Sequence, residues 1–239
     1  MKQFTFIIAA LFLLHSSFAQ VKPAPQAKPK TSTTPKAAIA KNRLVQVTTD
    51  YGTMIIKLYD STPNHRDNFI KLVKEGTYDS LLFHRVIEGF MIQGGDPQSK
   101  YADSTAILGG GDLPGGTIPA EFVPKYIHKK GALAAARTNN PEKASSNCQF
   151  YIVQGKPSND IELNQIECNI RSSDPAFSYS DAQRKVYKAI GGTPLLDQNY
   201  TVFGEVIKGL EVIDKIAAVA KGENDRPLKD VRFKMKMLN

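Results

Sequence analysis

The stretch FHRVIEGFMIQGGD, residues 83–96, reads as two short strands. Apolar runs flank Glu88-Gly89, and Gly94-Gly95 close the second run, which is the punctuation that bounds strands. Two side chains do not suit a packed strand: His84, and above all Arg85, whose guanidinium carries five donors and is almost never buried without a partner. Packing leaves two readings of Arg85. It snorkels from a strand edge to pair with a carboxylate such as Glu88, or it faces something that binds the protein.

Upstream, LVQVTTDYGTMIIKLY (44–59) alternates apolar positions at Val45 and Val47, then at Met54, Ile56 and Leu58, around a short turn at Asp50-Tyr51-Gly52. That pattern predicts a β-hairpin. STPNHRDNFIKLVKEG (61–76) predicts an amphipathic helix with Thr62 as N-cap, Pro63 at the first position, Phe69, Leu72 and Val73 on one face, and Gly76 at the C-terminal end; His65 falls on its polar side. Downstream, apolar runs at 131–136, 149–153 and 200–206 predict further strands, GLEVIDKIAAVA (209–220) a second helix with Val212, Ile213 and Ile216 together, and 231–237 a last strand. Many antiparallel strands with two helices point to a mainly β fold. A closed barrel removes exposed sheet edges, with helices covering its open ends. Between Gly155 and Pro194 the period turns helical: Ser180 and Gln183 make a capping box, Ala182, Val186 and Ile190 share a face, and Gly191-Gly192 end the segment. It reads as a helical insertion, 156–194.

The ends of the chain say where it goes. Met1-Lys2, an apolar run over 4–14 and Ser17-Phe18-Ala19 have the layout of a secretory signal peptide, cut after Ala19. The run is shorter than the ~18 to 20 residues of a membrane span, and neither cysteine lies near the cut to take a lipid, so an exported chain, periplasmic or secreted, without stable membrane insertion, is expected. Residues 20–43 are rich in Pro, Lys and Thr, a composition that cannot offset its ordering entropy and predicts a flexible tether. The rest, 44–239, suits one domain. Of the 31 basic residues behind the net charge of +8, seven precede the domain, leaving 24 against 23 acidic. A near-neutral domain lacks the electrostatic footprint of a nucleic-acid binder. Cys148 and Cys168 either pair, closing a loop of about 20 residues worth roughly 3 kcal/mol, or are two free buried thiols.

Other motifs fall short of chemistry. GGGDLPGG (109–116) lacks the Lys-Ser/Thr of a phosphate loop and predicts a surface loop. His65, His84 and His128 are scattered one per element, so no metal site or cofactor is indicated. No serine stands in a G-x-S-x-G turn, which weakens a hydrolase reading.

FHRVIEGFMIQGGD, followed in order by GALAAARTN (131–139), SNCQFYIV (146–153) and LLDQNYTVFGEVIKGLEVIDKI (195–216), resembles the cyclophilins, a family of peptidyl-prolyl cis/trans isomerases. The resemblance spans nearly all of 44–239 except the insertion. It implies a closed eight-stranded antiparallel barrel with two capping helices and no cofactor. It places the family's catalytic arginine on Arg85, its proline pocket on Phe90, Met91, Tyr151 and Leu196, a glutamine that orders polar contacts on Gln93, and the strand that bonds substrate backbone on Ala136 and Arg137. Leu195 and Tyr200 stand where many members carry Trp and His, Arg137 where they carry Asn, and Tyr151 where they carry a second Phe. The added Tyr151 hydroxyl needs water or a partner. The implied partners are proline-containing peptides and unfolded exported proteins, met by a monomer. The alternative within the same resemblance is a proline-peptide-binding chaperone with little catalysis.

Overall fold

A computed structural model describes residues 43–238. The expected signal peptide and the tether up to residue 42 lie outside the described residues. Eight strands are present: β1 (Leu44–Thr49), β2 (Gly52–Leu58), β3 (Phe83–Ile87), β4 (Met91–Gly94), β5 (Ala132–Ala135), β6 (Phe150–Val153), β7 (Val202–Lys208) and β8 (Phe233–Leu238). They form one antiparallel sheet in the order β3-β4-β6-β5-β7-β2-β1-β8. The expected barrel closure is not shown. The edge strands β3 and β8 share no ladder; they meet at the isolated Leu82–Arg232 bridge, so the architecture is an eight-stranded half-barrel.

Among the described residues four α-helices accompany the sheet: α1 (Pro63–Lys74), α2 (Asp160–Arg171), α3 (Asp181–Ile190) and α4 (Leu210–Ala217). The sheet's inner face and the apolar sides of α1 and α4 share one core, including Val47, Ile56, Phe69, Phe83, Phe150, Ile152, Ile213 and Phe233. Aromatic edges interlock there, with Phe69 and Tyr78 both T-shaped to Phe150.

Several local expectations need correction. Thr62 stands at the N-cap of α1, but its buried hydroxyl makes no capping bond and has no partner. The orphan N–H groups of Asn64 and His65 instead donate to the Glu121 carboxylate, at 3.1 and 3.0 Å. His65 is not on a polar face: it is buried, with Nδ1 2.7 Å from Glu121 and Nε2 3.0 Å from Ser145. The two cysteines are free; Cys148 is buried, and burial pushes its thiol up to about 11, while Cys168 is exposed. The loop at 109–116 does cradle an anion with glycine N–H groups, but the anion is the chain's own buried Asp96, which accepts from Gly109 at 2.5 Å.

The insertion folds as α2 and α3 around its own apolar cluster of Ile127, Leu163, Ile170, Phe177, Tyr179 and Tyr187. Both helices open with full capping boxes, Asn159 with Glu162 and Ser180 with Gln183. The expected buried face of α3 is displaced. Ala182 and Ile190 are exposed and Tyr187 is the buried residue, because its hydroxyl has a buried acceptor to reach. Among the described residues no helix is long and apolar enough to cross a membrane.

Candidate active site

Arg85 owes its direction to a break in the alternation of β3. Phe83 pairs with Gly94 while Arg85 pairs with Gln93, so β3 advances two residues where β4 advances one, and His84 is a β-bulge. Strand side chains alternate faces with a period of two. Under unbroken alternation, a Phe83 side chain in the core would leave Arg85 pointing there as well. With the bulge, Phe83 and Val86 both face the core and Arg85 turns outward.

On the outer face Arg85 begins a row across five strands: Arg85 opposite Gln93, Gln93 opposite Tyr151, Tyr151 opposite Ala134, Ala134 opposite Val202. Directly opposed side chains lie about 5 Å apart at Cβ. Beside this row Met91, Ala136, Tyr151, Leu196 and Val202 form a second apolar cluster, separate from the core, with Phe90 and Tyr200 packed against it. Gly89 (φ 74) makes the turn between β3 and β4 that delivers Phe90. Leu196 comes from a 3-10 turn, Pro194–Leu196, and is almost buried; its neighbour Leu195 is 59% exposed and stands outside the cluster.

The guanidinium of Arg85 takes no hydrogen bond within the chain among the described residues. Its ion-pair partner among the described residues is Asp225 rather than Glu88, with Nε to Oδ2 at 3.6 Å. Asp225 is offered by a turn in which Asn224 and Asp225 both adopt left-handed backbone, a conformation these residue types tolerate. At the Arg85 end of the row opens a cavity of about 830 Å³, bounded by His84, Arg85, Gln93 and the segments 104–109 and 222–228. Arg226 holds those two segments together, donating to the carbonyls of Ala106 at 2.6 Å and Asp103 at 2.7 Å. Ile107 and Leu228, both largely exposed, give the cavity an apolar rim. His84 lines its floor, buried and with neither ring nitrogen partnered; burial pushes its pKa down to about 4, against the pull of Asp96.

The polar residues are held from behind. Gln93 donates to Gln149 at 3.1 Å, and Gln149 in turn donates to the carbonyls of Gly109 and Gly111. The Ala136 main chain is engaged in both directions, donating to Gln149 O and accepting from Ser146 N, so its methyl lines the cluster but its peptide is occupied. Among the described residues Arg137 makes no main-chain bond, and its side chain donates to Asn199 O and lies 4.6 Å over the Tyr200 ring.

The Tyr151 hydroxyl finds a partner that the sequence did not suggest. It sits 2.9 Å from His128 Nε2; His128 Nδ1 sits 2.7 Å from Asp197 Oδ1; and Asp197 Oδ2 accepts from Tyr179 at 2.7 Å and Tyr187 at 2.6 Å. Nothing in the sequence couples His128 to a residue 69 positions away. The one available signal was the hydroxyl itself, which a buried tyrosine must satisfy.

The outer face thus sets an outward arginine in one row with an apolar cluster, and beside that cluster the Arg137 peptide is unbonded among the described residues. Residues 44–236 match the family model for cyclophilin type peptidyl-prolyl cis-trans isomerases. Candidate peptidyl-prolyl cis-trans isomerases of Staphylococcus haemolyticus and Staphylococcus aureus are each 36% identical, over 78% and 77% of this chain and 86% and 85% of theirs. A crystal structure of a Cryptosporidium parvum cyclophilin type isomerase superposes with a TM-score of 0.59 at 23% identity, covering 83% of this chain and 98% of that one. The same protein in the presence of the dipeptide Ala-Pro gives 0.58, covering 82% and 99%. The chain therefore belongs to the cyclophilin-type peptidyl-prolyl cis-trans isomerases, and its activity is the interconversion of cis and trans X-Pro bonds.

Proposed function

We propose that this isomerase assists the folding of exported polypeptides, with Arg85 as the residue that lowers the rotational barrier. The X-Pro bond resists rotation because the nitrogen lone pair is delocalised into the carbonyl, a barrier of about 18 to 20 kcal/mol. As the bond twists, the proline nitrogen becomes pyramidal and acquires a lone pair that the planar states do not offer. A guanidinium donating to it binds the twisted state better than either planar one, the condition for catalysis. Lowering the barrier by about 7 kcal/mol would speed the step about 10⁵-fold.

One observation carries the assignment. The bulge at His84 sets the Arg85 guanidinium outward, without an internal hydrogen bond, in one row with Tyr151 and its apolar cluster. Phe90, Met91, Tyr151 and Leu196 would take the proline ring, the free peptide of Arg137 would bond one flank, and Gln93 would line the approach. The related structure in the presence of Ala-Pro supports a proline peptide as the occupant. Export, to the periplasm or beyond, rests on the apolar run over 4–14 and the small residues ending at Ala19.

Substituting Arg85→Ala should leave the denaturant midpoint within experimental scatter, because only a partly exposed ion pair with Asp225 is lost, and should abolish measurable isomerisation of a proline tetrapeptide. Turnover equal to the wild type would overturn the role given to Arg85.

A further inference from the structure

We infer that the insertion positions the proline pocket: Tyr179 and Tyr187, through the buried Asp197 and His128, set the place of Tyr151. His128, Asp197 and the two tyrosines are then positioning residues for isomerisation. The inference rests on the pocket assigned above and adds a part of the chain that the assignment does not use.

The chain of contacts has one consistent direction. Asp197 is 1% exposed and His128 fully buried, so their polar atoms have only each other and their neighbours for partners. With the proton on His128 Nδ1, facing Asp197 Oδ1, Nε2 is left as an acceptor and the Tyr151 hydroxyl donates to it. The His128 main-chain N–H adds a second donor to Oδ1 at 2.9 Å. Every donor to Oδ2, however, comes from the insertion: Tyr179 and Tyr187.

A buried carboxylate is tolerated only when its lone pairs are bonded. If the insertion's hydroxyls are withdrawn, Oδ2 is bare, and the carboxylate must turn or admit water. Either response moves the imidazole it holds, and with it the ring of Tyr151 in the pocket wall. Asp197 also directly follows Leu196, another member of the cluster that contains Tyr151, so the same carboxylate bears on two residues of the proposed pocket.

Two alternatives are separable: that the tyrosines merely glue the insertion down, or that they act on the pocket. The full chain is compared with Tyr179→Phe/Tyr187→Phe, Tyr151→Phe, and all three together, using one Ala-Pro-containing tetrapeptide for both turnover and equilibrium affinity. Phenylalanine keeps the rings in the insertion's apolar cluster, and Ile161→Ser, an exposed change on α2, serves as control. The paired substitution should raise KM and the dissociation constant about 5-fold with kcat within about 2-fold, Tyr151→Phe should do the same, and the triple variant should go no further, because all act through one chain. The imidazole ¹⁵N shifts of His128 should also move in the paired variant. Wild-type KM and affinity in the paired variant, or a triple effect equal to the product of the two, would overturn the inference. Should the paired variant fold poorly, Tyr187→Phe with Tyr151→Phe closes the same cycle. A wild type that binds the peptide without turning it over would sink the catalytic reading alone, since the cycle on affinities still decides this one.

Discussion

His84 carries two burdens: it is the bulged position at which alternation breaks, so that Phe83 and Val86 both face the core and Arg85 does not, and it is buried with unbonded ring nitrogens. The unfolded chain takes up its proton near the ordinary 6.5, the folded chain only near 4. Between those values the unfolded state binds more protons, so the stabilisation is complete above about 6.5 and is lost as the pH falls, by up to about 1.4 kcal/mol per unit for one site. His65, whose pKa burial also lowers despite Glu121, adds in the same direction. Urea midpoints should therefore drop between pH 7 and pH 5, and less steeply in His84→Gln. A midpoint independent of pH across that window would contradict the buried, neutral state. At this scale the sequence singled out Arg85 as a residue out of place among apolar neighbours, but its direction was hidden. Strand periodicity assumes unbroken alternation, and a bulge breaks it without leaving a compositional mark. The same holds for Ala136 and Arg137, where only the hydrogen-bond ledger distinguishes an occupied peptide from a free one.

Within the secondary-structure elements, α1 shows how a cap can be supplied from elsewhere in the chain. Its N-cap hydroxyl is buried and idle, while Glu121 takes the two N–H groups and the His65 imidazole. Thr62→Val should accordingly be neutral or stabilising, because it removes a buried group with no partner, whereas Glu121→Ala should cost about 2 kcal/mol by stranding three donors. Chemical denaturation of the two variants tests the pair, and a Thr62→Val penalty equal to that of Glu121→Ala would restore the local cap. The hairpin, α1, α4 and most strand positions were legible, since apolar period and Gly/Pro punctuation are local properties. The face of α3 was not. Its buried residue is a tyrosine held by an acceptor outside the helix, and a tally of aliphatic positions passes over it.

For the molecule as a whole, the seam between β3 and β8 is the thinnest part of the sheet. It holds three main-chain bonds, Ser80 N to Phe233 O, Phe83 N to Val231 O and Phe233 N to Leu81 O, and two side chains: Arg232, which donates to the carbonyls of Ser80 and Lys100 at 2.8 Å, and Asp79, which accepts from Met235 N at 3.3 Å. Amides at Ser80, Phe83 and Phe233 should exchange with solvent before those of β1 and β2, and Arg232→Ala should hasten them selectively. Uniform protection across the sheet would argue for a continuous ladder. Strand count and antiparallel pairing could be anticipated from the sequence, whereas closure depends on how far the sheet curls, which no local signal carries. The bulge at His84 has a consequence for mutation. Deleting His84 would close the bulge and leave Phe83 inward, Arg85 outward and Val86 inward by plain alternation, so the guanidinium would keep its direction and the cavity would lose only the imidazole beneath it. The site thus tolerates a lost codon at this point, and a descendant shortened there would keep both its family likeness and its trade.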